Sequence, residues 1–146
     1  MHVVSVLALD GVLPFDLSTP IEVFGRARMH DGRVAYRVRV CAPTDEVDAG
    51  VFALRTPWGL GALAEADTII LPGLADPTAP IPEDVLEALR AAARGGTRIA
   101  SICVGAFTLA AAGLLDGLRD HALGSGYRAL QSVSRHRRGR RRTLRR

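Results

Sequence analysis

The segment with the clearest chemical potential is residues 97–113, TRIASICVGAFTLAAAG, in which a strand-like run leads directly into Cys103. A small-residue, helix-like run follows, and Gly105 allows a tight turn between the two. This order is typical of a nucleophile elbow, which places a reactive side chain on a sharp strand-to-helix turn. The N–H groups of a helix N-terminus favour a thiolate over a thiol. The alternative is that Cys103 is one more small buried residue.

Two further segments are expected at the same edge of the sheet. Asp16 lies in DGVLPFDLSTP, which we place in the loop after the first strand. Its apolar neighbours favour a protonated carboxyl, which could share a proton with a thiolate. Gly73 ends another strand, and the backbone N–H groups of Gly73 and Val104 could bind an oxyanion. The alternatives are a capping or turn aspartate and an ordinary turn glycine.

Strand-like and helix-like runs alternate along the chain and would position these residues. The strands are expected at residues 3–9, Tyr36–Cys41, Thr68–Leu71 and 98–103, with a hairpin or two short strands within 47–56. The helices are expected at residues 20–29, 82–94 and 104–112, the first one capped by Thr19. Alternating elements with apolar strands predict a parallel α/β sheet with helices on both faces.

Two further features in the middle of the chain lead to structural predictions. Arg alternates with apolar residues in Tyr36–Cys41, which predicts a strand with one solvated face. Phe52 and Trp58 could line a pocket or a dimer interface, although we expect both to pack in the core.

The charge of the chain is divided unevenly. The 146 residues carry a net charge of +4 and a pI near 10.0, and every basic residue is Arg. Residues 1–118 nevertheless hold nine Arg against 14 acidic residues, whereas residues 119–146 hold ten Arg against Asp120 alone. We therefore predict one acidic α/β domain, residues 1–118, and a disordered Arg-rich tail, residues 119–146.

Composition also excludes several classes of protein. No apolar run approaches the roughly 20 residues that span a bilayer, and the N-terminus lacks the positive region of a signal peptide. Cys41 and Cys103 are too far apart for a CxxC site and too few for a disulfide scaffold. We expect a cytoplasmic protein with free thiols, no metal site, no cofactor and no membrane partner.

The motifs of residues 3–118 resemble the ThiJ/PfpI superfamily. They are DGxxxxDxxP followed by EVF, then LPG, then ASICVGAFTLAAAGLLDG. The resemblance is strongest to the N-terminal domain of GlxA-type regulators of the AraC family, and isonitrile hydratases are near relatives. It implies a class I glutamine amidotransferase-like flavodoxin fold. It also implies Cys103 as the elbow cysteine, Asp16 as the acidic residue beside it, and Gly73, Val104 and Gly105 as backbone around the pocket.

The function implied by this resemblance is a ligand-sensing or vestigial regulator domain. It would bind a small-molecule effector, form a homodimer, and contact DNA only through a missing C-terminal helix-turn-helix part. An alternative is an isonitrile hydratase-like lyase with Cys103 as nucleophile and Asp16 as proton partner. Val104 stands where peptidase-like members have His and hydratases typically have Thr, which disfavours protease chemistry. A third alternative is salt-sensitive nucleic-acid binding by the Arg tail.

The resemblance stops abruptly at Leu118. With permitted codons from Asp120 onward, an adjacent reading frame can spell TTRWAPATALCRAFPDTDVDADVLYVD, which is family-like text at the expected place. We therefore expect the tail to be frameshifted and the fold to be incomplete at its C-terminal side. An incomplete sheet would expose apolar surface and an unpaired strand edge, which lowers stability.

Overall fold

The computed structural model describes residues 1–116 and places a four-stranded parallel sheet at the centre of the domain. The strands are β1 (His2–Leu7), β2 (Tyr36–Cys41), β3 (Glu46–Asp48), β4 (Ala53–Arg55), β5 (Thr68–Leu71) and β6 (Arg98–Ser101). The α-helices are α1 (Pro14–Arg26), α2 (Glu83–Arg94) and α3 (Ala106–Ala112). Two 3₁₀ helices cover Leu60–Glu65 and Cys103–Gly105. Strands β3 and β4 form a separate antiparallel hairpin, as the sequence predicts for residues 47–56.

The sheet order is β2-β1-β5-β6, with all neighbours parallel. The chain passes from β1 to β2 in one direction and from β5 to β6 in the other, so the order reverses between β1 and β5. In open α/β sheets, ligands bind in the crevice outside the carboxyl ends of the strands at such a reversal. The flavodoxin-like parallel sheet predicted from the sequence is confirmed, and its topology defines one edge for the site.

Both faces of the sheet are covered. On one face, Phe24 of α1 packs edge-on against Tyr36 of β2, with ring centroids 5.0 Å apart. Arg39 lies three residues further along β2 and so points to the opposite face, where it pairs with Glu65 of the 3₁₀ helix Leu60–Glu65. Helix α2 packs against that same 3₁₀ helix.

The core lies along the two inner strands. All four residues of β5 are buried, and Val4 and Val6 of β1 have no exposed surface. Helix α2 contributes Val85 and Leu89, which are spaced four residues apart on one helical face and are fully buried. Each such side chain stabilises the fold by about 1.5–3 kcal/mol relative to an exposed position. This packing fixes the strand ends that carry the candidate site.

The start of the first helix differs from the sequence-based expectation. Helix α1 begins at Pro14 rather than Pro20, because Pro14 fits the first turn, where its missing N–H has no partner to lose. Thr19 is not the N-cap; its hydroxyl donates to Phe15 O inside the helix, at 2.7 Å. Asp16 therefore lies in the first turn of a helix and not in a loop.

The expected burial of three residues is also corrected. Arg37 is exposed as predicted, but Arg39 is only 9% exposed, because the Trp58 ring lies 4.2 Å from its guanidinium carbon and Glu65 binds it. The solvated face of β2 is thus covered at one end. Trp58 and Phe52 are not core residues; they are 39% and 47% exposed.

The tail predictions lie outside the described residues. The expected disordered segment, residues 119–146, its frameshift origin and the incomplete C-terminal side of the fold all remain predictions. Within residues 1–116, β6 has a hydrogen-bonded neighbour strand on one side, β5. In that same range, no helix is long and apolar enough to cross a membrane.

Candidate functional site

The turn at Cys103 is the most unusual backbone feature of the candidate site. After β6, Ile102 still pairs with the neighbouring strand by donating its N–H to Leu71 O at 2.9 Å. The chain then turns at once, and Cys103 has φ 50°, in the left-handed region that non-glycine residues rarely adopt. Such a conformation costs about 1–3 kcal/mol and is found mainly where function requires it. The Cys103 side chain is exposed, so the turn presents a thiol to solvent at the carboxyl edge of the sheet.

Gly105 permits this turn because of close packing and not because of its own dihedral angles. A Cβ atom at Gly105 would lie 2.1 Å from the carbonyl oxygen of Leu71, at the end of β5. Its N–H donates to Ile102 O at 2.8 Å, which closes the 3₁₀ turn. The sequence indicates that Gly105 allows a tight turn, and the structure shows that the end of β5 leaves no room for a side chain there.

Asp16 reaches the same edge from helix α1. Its side chain is buried, and its Oδ2 accepts a hydrogen bond from the backbone N–H of Gly73 at 3.0 Å. A Cβ atom at Gly73 would lie 2.6 Å from Asp16 Oδ2 and 2.9 Å from Val104 Cγ2. Asp16, Gly73 and Val104 therefore meet around one point, and Val104 directly follows Cys103. The structure thus brings Asp16, Gly73 and Val104 together, and Cys103 is linked to them by its place in the chain next to Val104.

Two loops are joined by backbone hydrogen bonds that hold Asp16 in place. Leu13 donates its N–H to Gly73 O at 2.9 Å, and Ala75 donates to Gly11 O at 2.8 Å. The sequence does not indicate that Leu13 belongs to the site, yet its Cδ1 atom lies against Gly73. The only signals in the sequence are turn residues, which predict that the chain bends but not which loop it meets.

The chemistry open to this site follows from its donors and acceptors. The Gly73 N–H is directed at the Asp16 carboxylate, so an oxyanion would have to compete with that carboxylate for it. Neither described histidine lies at this edge. His2 starts β1 at the opposite end of the sheet, where its ring bonds Thr68 Oγ1 at 2.9 Å, and His30 is in an exposed turn after α1. A thiol and a buried carboxylate are thus present without a neighbouring imidazole among residues 1–116.

The second cysteine has a different environment. Cys41 ends β2 and has no exposed surface. Burial raises the pKa of its thiol, and the Ser5 hydroxyl and the Arg39 charge offset only part of that rise. A neutral buried thiol is a poor nucleophile and a poor metal ligand. Residues 1–116 also contain no group of three or more His, Cys, Asp or Glu that could hold a metal ion.

Comparison with known proteins places this chain in a wider group. An uncharacterised protein from the cpoL 5′ region of Streptomyces lividans is 36% identical over 121 residues, which cover 81% of this chain and 84% of that protein. The DJ-1/PfpI family profile matches residues 2–123.

Solved structures share the fold. An AraC family transcriptional regulator from Pseudomonas putida has a TM-score of 0.72 at 19% identity, over 92% of this chain and 73% of that one. A DJ-1 superfamily protein from Salmonella typhimurium has a TM-score of 0.69 at 22% identity, over 89% and 71%. A two-domain protein from Anabaena variabilis, with DJ-1/ThiJ/PfpI-like and ferritin-like domains, has a TM-score of 0.71 at 16% identity; this chain spans 38% of it and 91% of its own length. With the family profile covering most of the chain, this protein belongs to the DJ-1/PfpI family.

Proposed function

We propose that this domain senses a small molecule at the Cys103 edge and derives from an AraC-type transcriptional regulator. The observation that carries the proposal is that an exposed thiol and a buried carboxyl group lie at the same edge of the sheet, where residues 1–116 place no histidine. Thiol hydrolases commonly use an imidazole as the base that activates the thiol. A thiol at an edge where residues 1–116 place no imidazole is better suited to binding a ligand than to repeated acyl transfer.

The likeness to known regulators supports the same proposal. Two of the solved structures with this fold are an AraC family regulator from Pseudomonas putida and a putative transcriptional regulator from Vibrio parahaemolyticus. In the proposed function, the effector binds at the carboxyl edge and DNA contact belongs to a part outside this domain. Sequencing the locus tests the second point. Helix-turn-helix coding text downstream in an adjacent frame is expected, and its absence in every frame would contradict the regulator origin.

In this proposal, Asp16 acts on Cys103 through a shared proton. Gly73 holds Oδ2 of the carboxyl group, which leaves Oδ1 to carry a proton toward the thiolate. Replacing Asp16 with Ala is expected to slow alkylation of Cys103 by iodoacetamide at neutral pH by about tenfold, the size of a hydrogen bond to a charged group. Glu22→Gln, which changes an exposed carboxylate on the same helix, is the matched control and leaves the rate unchanged.

A rate for Asp16→Ala equal to that of the wild type would contradict the proposed coupling. A thermal melt of each variant separates this outcome from unfolding, since the Asp16 change also removes the partner of the Gly73 N–H. Mass spectrometry of the Cys103 peptide reports the alkylation directly, because Cys41 is buried.

An isonitrile hydratase remains the second candidate, because its chemistry needs only a thiolate and an acid. Cys103 Sγ would add to the isonitrile carbon while Asp16 supplies the proton to that carbon, giving a thioimidate. Water would then add to the same carbon and expel the thiolate, giving the N-formamide and returning the proton to Asp16. Incubation with phenyl isonitrile distinguishes the two candidates. The sensing proposal expects no formamide beyond the Cys103→Ser background, whereas Cys103-dependent turnover would establish the enzyme.

The domain is also proposed to form a homodimer, as the family resemblance implies. Phe15 at the start of α1 is 76% exposed, and Val51 in the β3–β4 turn is 86% exposed, so both offer apolar surface to a second copy. Sedimentation of the wild type is expected to show a dimer that Val51→Asp weakens. A monomer at all concentrations would contradict this part of the proposal.

A further inference from the structure

A second cleft lies at the carboxyl edge, separate from the Cys103 turn. It has a volume of about 270 Å³ and lies beyond the ends of β1, β2 and β5, against the start of α2. It therefore sits at the reversal of strand order between β1 and β5, where doubly wound sheets bind ligands. Cys103, Asp16 and Gly73 do not line it, so a ligand here would bind apart from the proposed thiol site.

We call this space the amine cleft; its lining includes Leu9, Asp10, Thr44, Leu74 and Asp84. Most of its walls are apolar and stiff. Leu9 and Leu74 form part of its lining, and both are buried. Pro43, Pro80 and Pro82 line it as well. Proline fixes its own φ, so these walls lose little conformational entropy when a ligand binds. A rigid apolar cleft of this size suits a compact body, because typical ligand pockets run from roughly 300 to 1,000 Å³.

The charged groups at the amine cleft are all negative. Asp10 and Asp84 line it, and none of the lining residues in the described part of the chain is Arg, Lys or His. Asp10 Oδ1 is held by the N–H of Asp48 at 2.9 Å, and Asp84 Oδ1 by the N–H of Val85 at 2.8 Å. A carboxylate has about four acceptor sites, so each one keeps capacity for a cationic donor. The two carboxylates are therefore positioned by the backbone before any ligand arrives.

We propose that the amine cleft binds a small organic ammonium ion, with its apolar body against Leu9 and Leu74 and its charge at Asp10 and Asp84. A neutral molecule of the same shape would gain no charge interaction with the two exposed carboxylates, and an anion would meet repulsion from them. The ammonium group can donate up to three hydrogen bonds, and the Thr44 hydroxyl at the cleft offers a further acceptor. The proposal is independent of the chemistry at Cys103.

Binding of benzylammonium to the full-length chain tests the proposal, with benzyl alcohol and benzoate as size-matched probes. Calorimetry is expected to show saturable benzylammonium binding at least about tenfold tighter than that of benzyl alcohol, the difference that one charge-assisted hydrogen bond makes. Benzoate is expected not to bind. Equal affinities for the ammonium ion and the alcohol, or no saturable binding of benzylammonium, would overturn the proposal.

Variants locate the ligand within the chain. Asp84→Asn and Asp10→Asn keep an acceptor oxygen for the backbone N–H but remove the charge, and each is expected to weaken benzylammonium binding about tenfold. Asp45→Asn, an exposed carboxylate outside the cleft, is the matched control and leaves affinity unchanged. Ala79→Leu places bulk in the cleft without changing charge and is expected to abolish binding.

The result at Cys103 separates this inference from the proposed function. Cys103→Ser is expected to bind benzylammonium as the wild type does, because the thiol does not line the amine cleft. Full affinity in Asp84→Asn would overturn the inference even if Cys103 proves to be coupled to Asp16. Thermal melts of all variants show that each one is folded when it is titrated.

Discussion

The two cysteines follow the same pattern in sequence and reach opposite states in the structure. Each one stands at the carboxyl end of a strand of the parallel sheet, Cys41 at the end of β2 and Cys103 just after β6. Cys41 has no exposed surface, whereas Cys103 is exposed and has a left-handed φ of 50°. Position at a strand end is therefore not what makes a thiol available.

The difference lies in what the chain does next. After Cys41 the chain continues in the sheet direction, where Ala42 donates its N–H to Trp58 O at 3.0 Å, and the thiol itself lies beside the Ser5 hydroxyl and the Arg39 charge. After Cys103 the backbone turns into a 3₁₀ helix, because Gly105 lets it pass against Leu71 O. A close approach between two backbones, and not the cysteine itself, thus presents the thiol.

Gly105→Ala is expected to destabilise the fold more than any other change considered for the two cysteine turns. Its Cβ would lie 2.1 Å from Leu71 O, and backbone cannot move aside as a flexible side chain can. Overpacking of a well-packed site typically costs about 1–3 kcal/mol, and the contact with main chain places this change at about 3 kcal/mol or more. Urea denaturation monitored by circular dichroism measures the loss in the free energy of unfolding.

Gly25→Ala is the matched control for this variant. Gly25 lies in α1, where an added Cβ meets no atom within 4 Å, and alanine favours a helix over glycine by about 0.5–1 kcal/mol. The control is therefore expected to be neutral or slightly stabilising. A Gly105→Ala variant as stable as the wild type would show that the β5 end is not the constraint on the turn.

Selective labelling of the two thiols tests directly whether Cys103 and Cys41 differ in exposure. Under native conditions, Cys103 is expected to react with iodoacetamide at least about 100-fold faster than Cys41, because a fully buried thiol reacts only when the structure opens. Mass spectrometry of the two cysteine peptides gives both rates in one experiment. In urea-unfolded protein the two rates should converge, and native rates within a few-fold of each other would refute the assigned burial.

The sequence predicted well the strands and helices that position this site. Periodicity and turn residues located the parallel strands and helix α2, since apolar runs and capping residues are local signals. The motif around Cys103 and Gly105 was readable because a tight strand-to-helix turn demands small residues in one stretch of chain.

Contacts between distant segments were beyond the same reasoning. Local rules assigned Asp16 to a loop, because Pro20 looked like a helix start, and only the structure shows that Pro14 begins the helix. Arg39 looked like a solvated residue until Trp58, 19 positions away, was found stacked on it. These outcomes depend on tertiary partners that a single segment does not encode.

Arg90 donates a hydrogen bond to the C-terminal end of helix α3, and its removal is expected to lower stability by an intermediate amount. Its Nε donates to Ala112 O, the last residue of α3, at 3.0 Å, and its guanidinium also pairs with Glu83 and Glu87 of α2. The hydrogen bonds to Glu83 and Glu87 raise the pKa of Arg90, although burial opposes them. Arg90→Met keeps the apolar stem and is expected to lower the free energy of unfolding by about 1–2 kcal/mol.

Exposed Arg26 provides the contrast for this change. It pairs with Glu22 on the surface of α1, and such pairs contribute little because water screens them. Arg26→Met is therefore expected to leave stability within error of the wild type in the same urea titrations. If both variants lose the same free energy of unfolding, the hydrogen bond from Arg90 to Ala112 O does not contribute specifically to stability.

The buried thiol of Cys41 is expected to make stability depend weakly on pH. Burial raises the pKa of the Cys41 thiol in the folded state, so the unfolded chain loses its proton first as pH rises. Stability from the neutral thiol is thus fully present below about pH 8.5, the usual thiol value, and declines above it at no more than about 1.4 kcal/mol per pH unit. Urea titrations between pH 7 and 9.5 are expected to show this decline in the wild type and a shallower one in Cys41→Ala. Because the other groups titrate alike in both proteins, equal slopes would mean that the buried thiol carries no such linkage, and the contrast with Cys103 would reduce to exposure alone.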